Sequence, residues 1–375
     1  MSAGVYKQNF SGELAYKYFL PSLLPVNIDL DDEMVVLLIN ASTELGRLDA
    51  IGEKIPSINP FLSMYVRKEA LLSSQIEGTQ ASLDDVLDPN ITKNQHLDEV
   101  INYIKAMNFG IEKLKNMPLC NRLLRNIHSE LMLGLRGKYL GEFRKNQNWI
   151  GRLGSKLKNA SYIPPAPHEL SALLSNFEKY LNDESVKYSL IQIALLHYQF
   201  ESIHPFLDGN GRVGRLLIVL FLLEKRLLSK PILYISYFLK LNRMEYYDRL
   251  SAVRQSGDYA QWVKFFLRAL IQSAKDASAS LNELSTLYEQ NIAKIDALAR
   301  NKNIKKLFLY INKHPIIDIS KSASELGLSY NTLLKAVNML KELDILILGD
   351  ESKSRNKLYF YKKYLEILRR DTQIL

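Results

Sequence analysis

At 375 residues the chain has room for two or three domains and a large core, and its formal net charge is +9. A single cysteine, Cys120, excludes a disulfide framework, the 6 histidines offer no zinc spacing, and the longest apolar run, Leu216 to Leu223, is far too short to span a bilayer. With a polar N-terminus that lacks an apolar signal core, the expectation is a soluble cytoplasmic protein with no membrane partner.

Residues 1 to about 30 are rich in Tyr, Phe and Pro and are expected to form an irregular strap across the body. Asp31-Asp32 opens a helix to about Leu48, with acids in the first turn as the dipole favours. Pro56 and Pro60 punctuate, and a second helix follows from about Phe61 through Leu62, Tyr65, Val66 and Leu71 to Ser73-Ser74-Gln75-Ile76-Glu77-Gly78. Gly78 suits the C-cap. Glu77 then faces the negative end of the dipole, and composition alone fits a solvent-facing carboxylate that tolerates a small penalty. From Asp85 to Leu133 the helical spacing continues, broken near Pro89 and Pro118. His128 is a lone histidine on a mostly apolar helix there and is read as structural. After Gly141-Glu142-Phe143-Arg144, two β-prone runs, Trp149-Ile150-Gly151 and Ala160 to Pro165, flank a Gly/Lys/Asn loop and predict a hairpin.

Helices at roughly 168–182 and 186–203 lead to the most informative stretch, His204 to Arg215, which reads HPFLDGNGRVGR. Apolar helical spacing on both sides makes it a loop feeding directly into a helix that ends near Lys225. Gly209-Asn210-Gly211 can direct three backbone N–H groups at one anion beside the positive end of the helix dipole. Arg212 and Arg215 share one face of the first turn. Cations oppose the dipole there, so a pair of them anticipates a polyanion. Asp208 offers a hard oxygen suited to Mg²⁺, and His204 is the nearby group able to take a proton near neutral pH. The stretch reads as a site that holds a nucleoside triphosphate and deprotonates what attacks it. Gly209 to Gly214 also spells G-x-G-x-x-G, but a dinucleotide fold needs a preceding strand and a later acid. Here a helix precedes, and no carboxylate stands between Glu224 and Glu245.

Met244 to Ser256 and Tyr259 to Leu270 are predicted helices, and Ile271 to Ala299 is a long polar-studded helix bridging to the tail. Residues 301–375 hold 14 Lys/Arg against 8 Asp/Glu, so much of the positive charge is local to a basic module. Helices over Ile304 to Ile311, Ser322 to Leu326 and Tyr330 to Leu343 follow, with a turn at Gly327-Leu328-Ser329. Strands at Ile345 to Leu348 and Lys357 to Tyr361, around a loop of Asp350 to Asn356, complete a winged helix-turn-helix pattern. Such a module would turn Tyr330, Asn331 and Lys335 toward a major groove and set Lys353, Arg355 and Lys357 near phosphates, which makes DNA a candidate partner. Packing on the core or binding a protein are the alternatives.

The His204–Arg215 stretch resembles the signature of the Fic family, HxFx(D/E)GNGRxxR, and matches it at every fixed position. The resemblance implies transfer of AMP from ATP to a hydroxyl side chain of a target protein, with release of pyrophosphate. Carried over by position, His204 resembles the general base, Asp208 the Mg²⁺ ligand and Phe206 an apolar anchor beneath the loop. Gly209, Asn210 and Gly211 resemble the phosphate cradle, Arg212 a phosphate contact and Arg215 the γ-phosphate clamp. Ser73 to Gly78 is similar to the family's inhibitory pattern (S/T)xxxE(G/N), in which Glu77 would compete with the γ-phosphate for Arg215. The same Glu77 could position a water for removing AMP. The hairpin resembles the Fic flap, which takes an extended target segment by strand addition, with Ile163 as a clamping residue. Tyr246-Tyr247 resemble the adenine-pocket wall, with Tyr247 stacking on the base. Arg254 stands where some relatives carry an Asn contacting adenine.

The expected fold is mainly α, a Fic-like helical core with a small β-hairpin flap plus a C-terminal winged helix-turn-helix domain. The expected divisions are 1–100, with the inhibitory helix, a core at 101–275, a linker helix at 276–300 and the winged domain at 301–375. Two functions from different classes fit. One is a self-inhibited protein adenylyltransferase using ATP and Mg²⁺ on a protein target or itself, with a homodimer as the expected assembly. The other is a DNA-binding regulator whose core senses nucleotide or is silent.

Overall fold

The computed structural model describes residues 2–11, 15–55, 58–90, 94–135, 139–151, 154–298, 302–349 and 357–374. Pro56, Ala299 and the Asp350–Asn356 loop, with Lys353 and Arg355 in it, lie outside the described residues. The chain is mainly helical. It opens with antiparallel strands β1 (Gly4–Asn9) and β2 (Tyr16–Pro21), in register from Gly4 opposite Pro21 to Asn9 opposite Tyr16. This hairpin replaces the irregular strap that composition suggested. Its strands are rich in β-prone aromatics, and β2 buries Tyr18 and Phe19.

The helices then follow in order. The first five are α1 (Asp32–Lys54), α2 (Asn59–Ile76), α3 (Leu83–Leu87), α4 (Gln95–Lys113) and α5 (Asn121–Met132). After the flap region come α6 (Leu170–Leu181), α7 (Ser189–Ile203), α8 (Asn210–Glu224), α9 (Ser236–Leu241), α10 (Arg243–Ser256) and α11 (Tyr259–Ala297). The last of these is one continuous helix of 39 residues. The expected break near Leu270 is absent because no Gly or Pro interrupts the segment. The C-terminal elements are α12 (Lys302–Ile311), β3 (Ile316–Asp318), α13 (Ile319–Leu326), α14 (Tyr330–Glu342), β4 (Leu346–Leu348), β5 (Leu358–Tyr361) and α15 (Lys362–Leu368). Strand β3, which was not expected, pairs antiparallel with β5, giving the order β3-β5-β4. The helix after it begins at Ile319 rather than Ser322 because the Asp318 carboxylate caps it, accepting from the Lys321 N–H at 3.0 Å.

Two compact units result, each drawn from separate stretches of chain. The first comprises Met1–Gly46, Asn102–Ser229 and Ile235–Ala274. At its centre α7 and α8 pack on each other and are buried almost all round, the pattern of helices apolar on every face. Gly214 allows their close approach, since a Cβ there would lie 3.2 Å from the Phe200 ring and closer still to the Glu201 carboxylate. Trp262 of α11, fully buried, donates its indole N–H to the Ala194 carbonyl of α7 at 2.8 Å.

The second unit comprises Arg47–Ile101, Lys230–Tyr234 and Lys275–Leu375. Its core joins α2 to the C-terminal elements: the Phe61 and Tyr364 rings stack with centroids 6.2 Å apart, and Asn291 donates to the Tyr361 hydroxyl at 2.8 Å. Ser329 caps α14, accepting from the Thr332 N–H.

Candidate active site

The site is built on the loop between α7 and α8. His204 follows the last residue of α7 in the left-handed conformation (φ 49°, ψ 60°) and donates its N–H to the Phe200 carbonyl at 2.9 Å. A non-glycine residue holds such a conformation only where its surroundings over-determine it. They do so here. The Arg144 guanidinium donates through Nε to the His204 carbonyl at 2.9 Å, and through Nη2 to the carbonyls of Pro165 at 2.5 Å and Ile203 at 3.3 Å. Asn148 donates to the Phe206 carbonyl at 2.8 Å and the His204 carbonyl at 3.3 Å. The orphan carbonyls at the end of α7 thus meet a cation, the charge their dipole favours. Burial pushes the Arg144 pKa down to about 10, which leaves it charged at neutral pH.

Phe206 lies fully buried beneath the loop, its ring parallel to His128 with centroids 3.9 Å apart. His128 accepts the Gly141 N–H on Nδ1 at 3.0 Å, so Nε2 carries the proton and donates to the Asp208 carbonyl at 3.1 Å. Burial pushes the His128 pKa down to about 4, which keeps the ring neutral. Asn210 turns inward: its amide oxygen accepts the Phe206 N–H and its amide nitrogen donates to the Phe206 carbonyl, both at 2.8 Å. Its side chain therefore braces the loop, while its backbone opens α8. Gly209 takes the left-handed turn before α8 (φ 76°), and a Cβ there would sit 3.0 Å from the Met132 sulfur. The Gly209 N–H is occupied by the Asp208 carboxylate at 2.6 Å, so the cradle differs from three open amides at that position. No side chain caps α8, which leaves the start of the helix, around Gly211, to an anion.

Both arginines of the stretch lie inside: Arg212 is 5% exposed and Arg215 1%. Arg212 Nη2 stands 3.8 Å from the Asp208 carboxylate, whose side chain is 70% exposed. Arg212 Nε and Nη1 are buried and have no hydrogen-bond acceptor among the described residues. Buried unsatisfied donors on a cation are expensive, and a phosphate oxygen is one group able to satisfy them. The Arg215 charge, after burial, helps push the His197 pKa down to about 3. That histidine donates from Nδ1 to the Gly214 carbonyl at 3.0 Å and accepts the Tyr246 hydroxyl on Nε2 at 2.8 Å. Tyr246 is thereby buried in the scaffold, whereas Tyr247 is 38% exposed with the Arg243 guanidinium 5.8 Å from its ring centre.

Among the described residues the predicted hairpin, the expected flap, shows one antiparallel bridge, joining Ile150 to Tyr162, with a 3₁₀ turn at Leu157–Asn159 between. The carbonyl of Ile163 accepts the Phe19 N–H of β2 at 3.0 Å, so this edge is paired with the chain's own N-terminal hairpin. Tyr162 donates to the Ser202 carbonyl at 2.6 Å, and the Arg254 guanidinium stacks on its ring at 4.1 Å. Arg254 is therefore held against the base of the flap.

Ser73, Glu77 and Gly78 belong to the second unit. Ser73 is fully buried, Glu77 is an exposed C-cap one residue past α2, and Gly78 follows with φ 99°. Among the described residues no group of three His, Cys, Asp or Glu converges on a metal position. A Mg²⁺ held by Asp208 would therefore take its remaining ligands from phosphates and water, the usual habit of that ion at nucleotide sites. Sequence patterns did not reveal Arg144 or Asn148, whose partners are backbone carbonyls.

Residues 118–222 match the Fic/DOC family model, and residues 35–112 match the Fic/DOC family N-terminal model. The chain is 34% identical over 171 residues to the protein adenylyltransferase Fic of Culex quinquefasciatus, covering 45% of this chain and 30% of that one. It is 37% identical over 127 residues to the protein of the same name from Drosophila melanogaster, covering 33% of this chain and 23% of that one. The match thus spans less than a third of the length of these curated relatives. In fold, it is similar to the crystal structure of a Fic family protein from Desulfovibrio desulfuricans G20 (TM-score 0.59, 22% identity, 89% of this chain and 97% of that one). A Fic domain containing signaling protein from Bacteroides thetaiotaomicron is similar with a TM-score of 0.53 at 18% identity, covering 65% of this chain and 98% of that one.

Proposed function

We propose that this protein is an adenylyltransferase that moves AMP from ATP to a hydroxyl side chain of a target protein or of itself. The observation that carries this reading is the buried Arg212, with two N–H donors lacking an acceptor among the described residues, at the start of α8 and beside the exposed Asp208. The curated relatives named protein adenylyltransferase Fic support it. In the reaction the acceptor hydroxyl oxygen bonds to the α-phosphorus, the bond to pyrophosphate breaks, and the imidazole of His204 takes the hydroxyl proton. Arg212 and the first turn of α8 hold the phosphates, with Arg215 gripping the terminal one. When bound at Asp208, Mg²⁺ neutralises phosphate charge and steadies the leaving pyrophosphate. Tyr247 stacks on the base, and the flap aligns the target segment. The chain acts as a homodimer in the cytoplasm. Glu77 restrains the activity by competing with the γ-phosphate for Arg215, both being anions that suit a guanidinium fork.

The test is incubation with α-labelled ATP and Mg²⁺. The wild type should label itself or a partner weakly, Glu77→Gly strongly and His204→Ala not at all. Label persisting in His204→Ala removes the general-base role.

A second reading, a winged helix-turn-helix module, is supported by the order α12-β3-α13-α14-β4-β5. Tyr330 is 51% exposed, and Asn331 and Lys335 share an exposed face of α14, the helix that would enter a major groove. DNA binding through residues 302–374 predicts a gel shift that weakens steeply with salt; a salt-independent shift or none removes it.

A further inference from the structure

Inside the second unit, the Ser73–Gly78 motif is tied to the C-terminal end of the chain. Gln75 is 8% exposed, and its amide nitrogen donates to two carbonyls, Ala81 at 2.9 Å and Thr372 at 3.0 Å. Two acceptors fix which end of the amide is nitrogen, because the reversed amide would set oxygen against both. The amide oxygen is buried with no donor among the described residues, so the side chain is committed to those two bonds. Thr372 is itself presented by a turn in which its N–H and its hydroxyl both donate to the Arg369 carbonyl, at 3.1 and 2.8 Å.

That turn follows α15 and is pinned by two forked arginines. Arg369 donates to both oxygens of Asp84 in α3 at 2.8 and 2.7 Å, and Arg370 to both oxygens of Glu283 in α11 at 2.6 and 2.7 Å. The residues between α2 and α3 are therefore bounded by Gln75 on one side and Asp84 on the other, and both reach the same C-terminal turn. Within that span the N–H groups of Glu77 and Gly78 bond back to Ser74 and Gln75 at 3.0 Å, and Thr79 donates its hydroxyl to Glu99. The Glu77 and Gly78 amides thus bond back into the end of α2, and Gln75 carries a bond from that same end to the C-terminal turn.

We propose that Gln75 is a positioning residue for Glu77, and that residues 369–372 are a latch through which the C-terminal module sets the state of the inhibitory motif. The regulatory half of this rests on the reading of Glu77 as the inhibitory carboxylate; the structural half does not. Displacement of the C-terminal turn, by a ligand of the module or by substitution, frees the end of α2 and relieves the restraint. The basic C-terminal module and the catalytic loop then belong to one regulated protein.

The test uses the full chain in six forms: wild type, Glu77→Gly, Gln75→Ala, the Gln75→Ala/Glu77→Gly double variant, the Arg369→Ala/Arg370→Ala double variant and its Lys/Lys counterpart. Deuterium uptake at residues 74–82 is followed by mass spectrometry alongside labelling from α-labelled ATP. Loss of the two buried hydrogen bonds of Gln75 should speed exchange at residues 77–79 by about tenfold or more in Gln75→Ala, with a smaller rise in the Ala/Ala variant and partial return in Lys/Lys. Labelling should rise several-fold, roughly in step, and Gln75→Ala should add nothing in a Glu77→Gly background. Unchanged exchange at 77–79 in both latch variants, with thermal unfolding midpoints near wild type, overturns the latch. A rise in labelling that persists undiminished on top of Glu77→Gly overturns the positioning role. If Glu77→Gly does not raise labelling at all, the inhibitory reading fails, while exchange still decides the latch by itself.

Discussion

Arg144 and His204 are joined by a hydrogen bond from guanidinium Nε to carbonyl oxygen, 2.9 Å long and bridging 60 positions of sequence. The bond reaches the backbone of the candidate base rather than its imidazole. Because the same guanidinium also holds Ile203 and Pro165, one side chain fixes the end of α7, the turn into the loop and the segment that follows the Ile150–Tyr162 bridge. The left-handed His204 is therefore held from behind.

Replacing Arg144 with Met should destabilise the protein by about 3 kcal/mol, since several buried carbonyls lose a charged donor at once. Transfer should fall further than stability, by roughly a hundredfold, because a displaced base loses its line to the acceptor. Arg144→Lys keeps the charge but not the fork, so it should recover only part of both. Urea midpoints and initial labelling rates check this; a Met variant labelling at the wild-type rate would show that the bond does not position the base.

Much of this site was legible in the sequence because its parts are local. The run from His204 to Arg215 carries its turn residue, its cations and its carboxylate within one loop and one helix turn, and flanking apolar spacing placed it between helices. Arg144 was not legible. Its acceptors are carbonyls of residues 146, 165, 203 and 204, and a carbonyl leaves no trace in residue identity. Asn210 was read for its backbone in the cradle, and the task of its side chain was not legible: the backbone of Phe206 takes both ends of its amide. The N-terminal hairpin escaped notice because aromatic, proline-containing sequence reads as irregular until a partner strand supplies the pairing. α7 and α8 were visible as helices, but being apolar all round they gave no face to orient them.

His128 and His197 predict how stability depends on pH. Burial lowers their folded pKa values to about 4 and about 3, below the usual unfolded value near 6.5. Above pH 6.5 both states hold neutral rings. Below it the unfolded chain takes up protons that the folded chain refuses, so stability falls as pH drops from 6.5 toward 4. For His128 alone that loss is roughly 3 kcal/mol by pH 4. Urea midpoints across that range should fall steadily in the wild type and more gently in His128→Gln. Equal slopes in the two proteins would remove His128 from the account.

Tyr247 and His204 should separate binding from chemistry. Tyr247→Ala removes a partly exposed aromatic ring and should weaken nucleotide binding by about tenfold. His204→Ala should leave binding within about threefold while lowering transfer by at least a hundredfold. Titration with a fluorescent ATP analogue, paired with labelling, distinguishes them. If His204→Ala loses binding as much as Tyr247→Ala does, the histidine serves the nucleotide rather than the proton.

Arg212 sets stability against function. Without a nucleotide its Nε and Nη1 donors are buried with no acceptor among the described residues, and the Asp208 carboxylate stands 3.8 Å away from Nη2 with a largely exposed side chain. Such a cation destabilises the fold that contains it. Arg212→Met fills a similar volume without the charge and should raise the stability of the nucleotide-free protein by about 1 kcal/mol. The same change should cost ATP affinity at least tenfold, about 1.4 kcal/mol, because a charge-assisted bond to phosphate is lost. The two effects have opposite signs, so they cannot both follow from general loosening of α8. Thermal unfolding with and without ATP and Mg²⁺ reads both: the variant should melt higher than wild type alone and gain less from nucleotide. A variant that melts lower alone would mean that Arg212 is held by the fold and not by a phosphate.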